Sequence, residues 1–289
     1  MLQKNYKLWL IALFCVLSAT TTFSQSTILW SVQHPQQKTK SHIVGTFHQI
    51  GNSFIDSLPL IKQSLYESDL AVFESIGDVE ELRNLMNRRS DDNSYTKYLK
   101  KKEIAYLEDI SAEWSVPVTK LSPRELVTKL AQTYFLTQCG SVKPTDKWEH
   151  FDNYLIHLAK SGNIPLKGLE SDSIQLEYIN QTDRANADWK HMKKPVQQWI
   201  HKIRKSNNTK RNCQDTQDYM NFNLDYQLDT ECGENPIITE RNRNWIALLS
   251  DVLPENNTFI AVGIFHLYGK CGLIHQLRTR GYRVEPVMF

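Results

Sequence analysis

Two short runs at the ends of apolar stretches place a glycine three residues before a histidine: Gly45-Thr46-Phe47-His48 and Gly263-Ile264-Phe265-His266. Each follows an apolar stretch, Ile43-Val44 in the first case and Phe259-Ile260-Ala261-Val262 in the second. Two acids stand in the same relation to apolar runs: Glu74 after Ala71-Val72-Phe73, and Glu170 after Gly168-Leu169. Imidazoles and carboxylates are the usual ligands of a hydrolytic divalent metal. Two or three of them with an open position generate a nucleophilic water. Any one of these residues is ordinary, since a lone strand-end histidine is usually structural and a lone glutamate usually caps a helix. Four ionisable groups directly after four apolar runs are not ordinary, because a core that buried them unpaired would be destabilised. The pattern predicts one crevice shared by His48, Glu74, Glu170 and His266.

The elements that must position them read as follows. Ile28 to Val32 alternates like a strand, and His42 to Gly45 forms a second strand. Leu58, Ile61, Leu65 and Tyr66 have helical spacing behind Pro59, and Asp69 to Phe73 is a third strand. Strand, helix, strand over this length is a βαβ unit with parallel strands. Residues 78–160 read as a mostly helical insertion, with Ser122-Pro123-Arg124-Glu125 as its clearest helix start. Ile164 to Leu169 is a buried strand, residues 172–229 return to helix, and Ile237 to Leu253 is another helix. Thr258 to Val262, a helix over Gly272 to Arg280 and a closing strand over Tyr282 to Val287 repeat the opening plan. The fold class predicted is α/β: a central mixed, largely parallel sheet with helices on both faces and a long helical insertion. Ligands of such sheets collect beyond the carboxyl ends of the strands, where all four ionisable residues fall. His150 and His157, seven apart, read as a surface pair on one helix face, with a metal site as the lesser alternative.

The first residues form a separate unit. Lys4 and Lys7 precede the apolar run Leu8 to Leu17, and small polar residues follow through Ser24. This is the pattern of a secretory signal peptide over residues 1–24, with an uncleaved membrane anchor as the alternative. The run is too short to span a bilayer comfortably. Residues 25–289 then form a single domain of an exported protein, periplasmic or secreted, and membrane contact arises only through the signal segment if it stays uncleaved. Losing Lys4 and Lys7 leaves 32 basic side chains (34 minus 2) against 32 acidic ones. A neutral exported chain argues against nucleic acid as a partner. Hydrophobic residues at 40% and charged residues at 23% exclude a disordered chain and a membrane bundle. Four cysteines remain, Cys139, Cys213, Cys232 and Cys271, with three possible pairings. The polar segment between Cys213 and Cys232 makes that the expected bridge, leaving Cys139 and Cys271 as buried thiols or a second bridge.

Taken together, these segments resemble the TraB/PrgY/GumN family, which includes the Tiki proteases. The resemblance rests on Gly45-Thr46-Phe47-His48, Leu58-Pro59, Glu74, Gly168-Leu169-Glu170 and Arg241-Asn242 with Trp245. It extends through Val262-Gly263-Ile264-Phe265-His266-Leu267-Tyr268-Gly269-Lys270-Cys271-Gly272 and Arg280-Gly281-Tyr282-Arg283-Val284. It covers about residues 28–289, and it implies a fold related to erythromycin-esterase-like and ChaN-like proteins. The Tiki branch implies metal-dependent peptide cleavage, with His48, Glu74 and His266 as metal ligands by position. The ion would be a divalent one, with manganese, cobalt and zinc all suitable. The glutamate that does not bind metal, Glu74 or Glu170, would act as general base. Arg241 would stabilise an oxyanion or grip a substrate carboxylate, and Asn242 would orient a partner. The substrate is expected to be a peptide or another small molecule. ChaN-like relatives bind haem, so a non-catalytic protein that sequesters a peptide or haem in the same crevice is the alternative. Two geometric expectations follow: His48 and His266 within about 8 Å, and Arg241 within hydrogen-bonding reach of Glu74 or Glu170.

Overall fold

The computed structural model describes residues 27–181, 187–205, 213–233 and 236–289. The signal segment lies outside the described residues. Six strands form one sheet: β1 (Leu29–Gln33), β2 (Ser41–Thr46), β3 (Leu70–Phe73), β4 (Leu166–Gly168), β5 (Thr258–Gly263) and β6 (Arg283–Val287). Their order is β4-β3-β5-β2-β1-β6. The first four in that order are mutually parallel, and β1 runs antiparallel to β2 and β6. β5 is buried throughout and apolar after Thr258 because it is central, with β3 on one side and β2 on the other. The two edges are guarded: β4 has three residues, and β6 carries Arg283, Glu285 and Pro286.

Twelve helices are present among the described residues. α1 (Asn52–Asp56) and α2 (Pro59–Tyr66) connect β2 to β3. α3 (Val79–Asn87), α4 (Tyr95–Tyr98), α5 (Lys101–Ser111), α6 (Pro123–Gln138) and α7 (Phe151–Ser161) precede β4. α8 (Asp172–Gln181), α9 (Trp189–Arg204), α10 (Gln214–Met220) and α11 (Pro236–Val252) lead to β5, and α12 (Leu273–Thr279) connects β5 to β6. The molecule has the α/β architecture that the strand and helix pattern predicts. α6 begins as its sequence dictates: Ser122 accepts from the Glu125 N–H, and the Glu125 carboxylate accepts from the Ser122 N–H.

Side chains bury themselves in two clusters. One surrounds the sheet and takes in Trp30, Phe259, Phe151, Leu155, Trp245 and Leu277. The other is all helical, built from α3 to α6 and α9, with Leu107, Leu126, Leu130, Val196 and Ile200 at its centre. Burying one such leucine or isoleucine contributes about 1.5–3 kcal/mol. Phe135 touches both clusters, with its ring 5.5 Å from Phe47 and 6.1 Å from Trp199. α7 belongs to the sheet cluster, whereas α9 and Cys213 join the helical one.

The disulfides overturn the expected Cys213–Cys232 bridge. Cys139 pairs with Cys213 and Cys232 with Cys271, at Cα separations of 5.4 and 5.9 Å. Closeness along the chain misled, because docking decides the pairing. Cys139 ends α6 and Cys213 starts α10, and both face the helical cluster. The strand-like contacts from Gly269 N–H to Tyr226 O and from Lys270 N–H to Thr230 O bring Cys271 to Cys232. Closing spans of 74 and 39 residues stabilises by about 4 kcal/mol each in the chain-entropy account.

Candidate functional site

The parallel register brings four strand ends level. Thr46 pairs with Gly263, and Phe73 pairs with both Ala261 and Gly168. Beyond the strands, the Leu169 and Glu170 N–H groups continue the ladder to the Phe73 and Glu74 carbonyls at 2.8 and 2.9 Å. His48, Glu74, Glu170 and His266 therefore leave the sheet at one end of its parallel strands. His266 sits in a tight turn, Ile264–Leu267. Gly45 permits that turn to approach, since a Cβ there would lie 2.3 Å from Ile264 Cδ1. Gly263 is the centre of the site. A Cβ on it would be 3.1 Å from Glu74 Oε1, 3.7 Å from His266 Cδ2 and 3.8 Å from His48 Nε2. Those short distances place the two histidines, 218 positions apart in sequence, within the expected 8 Å.

On one side of Gly263 lies a buried ionic cluster. α11 presents Arg241, Asn242 and Trp245 to the strand ends. Arg241 donates from Nη2 to Glu74 Oε2 at 2.5 Å and from Nε to Glu170 Oε2 at 3.1 Å. Its Nη2 also lies 2.7 Å from Glu170 Oε1. Trp245 underlies the guanidinium at 4.5 Å and donates to Glu170 Oε2. Arg241 Nη1 is 3.1 Å from His266 Nε2. A guanidinium only donates, so Nε2 accepts and the ring proton sits on Nδ1. That proton goes to Asn242 Oδ1 at 2.7 Å. The Asn242 amide is oriented in turn, because Nδ2 donates to the His266 and Cys271 carbonyls. His266 is thus a neutral imidazole of fixed tautomer. Burial, with Arg241 and His48 adding to it against the pull of Glu74, pushes its pKa down to about 3. Burial alone would raise the Glu74 carboxyl. The His266 ring, Arg241 and His48 outweigh it and hold Glu74 below the ordinary range.

On the other side, His48 keeps 41% of its side chain exposed and donates from Nδ1 to Asp152 Oδ2 at 2.6 Å. Thr46, two residues earlier, donates to Asp152 Oδ1 at 2.8 Å. Burial works against the charged ring, but the Asp152 charge and hydrogen bond prevail and raise His48 to about 9. Asp152 itself is held far below the carboxylate range: burial opposes ionisation, and His48 overrides it. His150 stacks on His48, with centroids 5.1 Å apart, and burial followed by the His48 charge lowers it to about 4.

Asp152 and His150 are the residues that sequence reasoning missed. The reading of His150 and His157 as a surface pair is corrected. His150 precedes α7 and joins the site, while His157 stacks on Trp148 at 4.7 Å. The available signal was His150-Phe151-Asp152 at the start of an amphipathic helix, where a carboxylate also reads as an ordinary helix-start acid.

A divalent ion fits the expected set of His48, Glu74 and His266 poorly. Glu74 Oε1 and His266 Nε2 are 3.8 Å apart, a ligand-like spacing. Glu74 Oε1, however, accepts from the Gly263 N–H, Glu74 Oε2 holds Arg241, and the His266 Nε2 lone pair accepts from the same guanidinium. The cation of that half is Arg241.

Among the described residues no helix is long and apolar enough to cross a membrane. No curated protein and no solved structure matches the chain significantly. The family profile described as TraB/PrgY/gumN does match, over residues 28–286, and by that near-complete match the chain belongs to the TraB/PrgY/gumN family.

Proposed function

We propose that the protein is an exported, metal-dependent hydrolase that acts on peptides. The observation that supports this reading best is the convergence at Gly263: the Glu74 carboxylate and the His48 and His266 rings border the space that a side chain there would fill, and the Arg241 guanidinium is pinned on that carboxylate. A scissile carbonyl brought to the edge of that space, where His48 is exposed, meets complementary groups. Arg241 has five N–H donors. Its contacts with Glu74, Glu170 and His266 leave one on Nη1 for a developing oxyanion. Glu74, ionised at neutral pH, receives the proton of an attacking water. Glu74 then passes that proton to the leaving amine, and His48 donates a hydrogen bond from Nε2 to the substrate whether its Nδ1 carries a proton or an ion. Glu170 and Trp245 hold Arg241 in place, and Asn242 keeps His266 in the tautomer that accepts from Arg241. Export is supported by the signal-like first 24 residues and by the two disulfides, which persist in oxidising compartments.

The test is cleavage of a mixed peptide library, read as new termini by mass spectrometry, with chelator and then with added manganese, cobalt or zinc. Cleavage that needs an ion and falls at least about 100-fold in Arg241→Lys supports the reading. A wild-type protein that binds peptides but cleaves none under any of these conditions overturns it.

A further inference from the structure

Unassigned chemistry lies on the far side of His48. Asp152 Oδ2 is 2.6 Å from His48 Nδ1 and 3.7 Å from His150 Nδ1. His48, His150 and Asp152 each offer a ligand atom, and the three atoms lie within 4.8 Å of one another. His150 Nδ1 is buried and has no hydrogen-bond partner. A buried polar atom left so is destabilising, which marks a place built for something else. Its distance to Asp152 is too long for a hydrogen bond. It suits two ligands that share one ion at bonds of about 2.1 Å each. Thr46 fixes the other Asp152 oxygen, the kind of outer contact that orients a ligating carboxylate. Among the described residues no guanidinium hydrogen-bonds to this trio, whereas Arg241 occupies the Glu74–His266 half.

We propose that a first-row divalent transition-metal ion binds between His48, His150 and Asp152, and not between Glu74 and His266. Two imidazoles and one carboxylate are a borderline donor set that suits manganese, cobalt or zinc. The ion takes the place of the proton between His48 and Asp152, so the short contact there belongs to the ion-free protein. Three protein ligands would leave positions open for water, which such an ion activates. The proposal deepens the hydrolase reading, yet it concerns binding and can be judged without turnover.

The probe is zinc alone, titrated calorimetrically into the tag-free chain at fixed pH and repeated on variants that keep a cooperative melting transition. One ion per chain is expected. His150→Ala weakens binding at least tenfold and Asp152→Asn still more, in line with the usual cost of losing a metal-site partner. Glu74→Gln and His266→Ala stay within about threefold. Should Asp152→Asn not fold, His150→Ala carries the test, because that ring is partly exposed at the surface. Absence of stoichiometric binding, indifference to His150→Ala, or loss in Glu74→Gln or His266→Ala overturns the assignment. Zinc bound as described without peptide cleavage sinks only the hydrolase reading. Ion-dependent cleavage that survives His150→Ala sinks only the metal site.

Discussion

The two G-x-x-H segments stand side by side on parallel strands and end on rings that approach the same glycine. Their environments are opposite. His48 is half-exposed, held by a carboxylate and positively charged, whereas His266 is buried, held by an amide and neutral. Each ring has its Nδ1 on one side-chain oxygen 2.6 to 2.7 Å away. What differs is whether that oxygen carries charge. The third residues differ as well: Phe47 is packed against Phe135 and Tyr219, while Phe265 is 59% exposed. A shared sequence pattern therefore fixes placement at the strand ends, and residues from distant helices decide what each histidine can do.

The largest effect should come from the cation that only the His266 half possesses. Arg241→Met leaves Glu74 and Glu170 buried without their partner, at about 3–5 kcal/mol of stability. Urea denaturation checks this, and a loss below about 1 kcal/mol would mean that the cluster is not held by its charges. Swapping the orienting groups comes next. Asn242→Asp should raise His266 from about 3 toward neutrality, and Asp152→Asn should drop His48 from about 9 to below its ordinary 6.5. Histidine NMR titrations follow both rings. If they hold their positions, the orienting oxygen does not set the difference.

A smaller effect is the pH dependence of stability in chelator. The folded-state pKa of His48 is raised, so its contribution is complete below 6.5 and is lost as pH climbs through about 9. Those of His266 and His150 are depressed, so their contribution is complete above 6.5 and is lost as pH falls toward 4 and 3. The melting temperature should peak near pH 6.5, and His48→Gln should flatten the alkaline limb alone. The smallest contrast is at the third residues. Phe47→Leu should cost about 1 kcal/mol and keep activity, and Phe265→Leu should stay within about 0.5 kcal/mol. Equal costs would erase this part of the asymmetry.

The strand ends were legible because they are marked twice, by an apolar run and by the ionisable residue that closes it. Glu74 and Glu170 could be placed beside each other from their own flanks, and Arg241 and Asn242 from the family resemblance. Asp152 could not. It lies 104 positions from His48, at the start of a helix whose docking depends on contacts that one sequence does not reveal. The bridges were misread for the same physical reason: proximity along the chain says little about which helix ends meet.

The bridges also decide how the molecule would come apart if cut. The span from Cys139 to Cys213 contains His150, Asp152 and Glu170, and that from Cys232 to Cys271 contains Arg241, Asn242 and His266. A protease that severs the backbone once within either span releases no fragment, because the bridge still ties both pieces together. The nicked protein would run as one band until a reductant is added, keeping those site groups tethered to the strands that carry His48 and Glu74. In a protease-rich medium, chain breakage and loss of the site would become separate events.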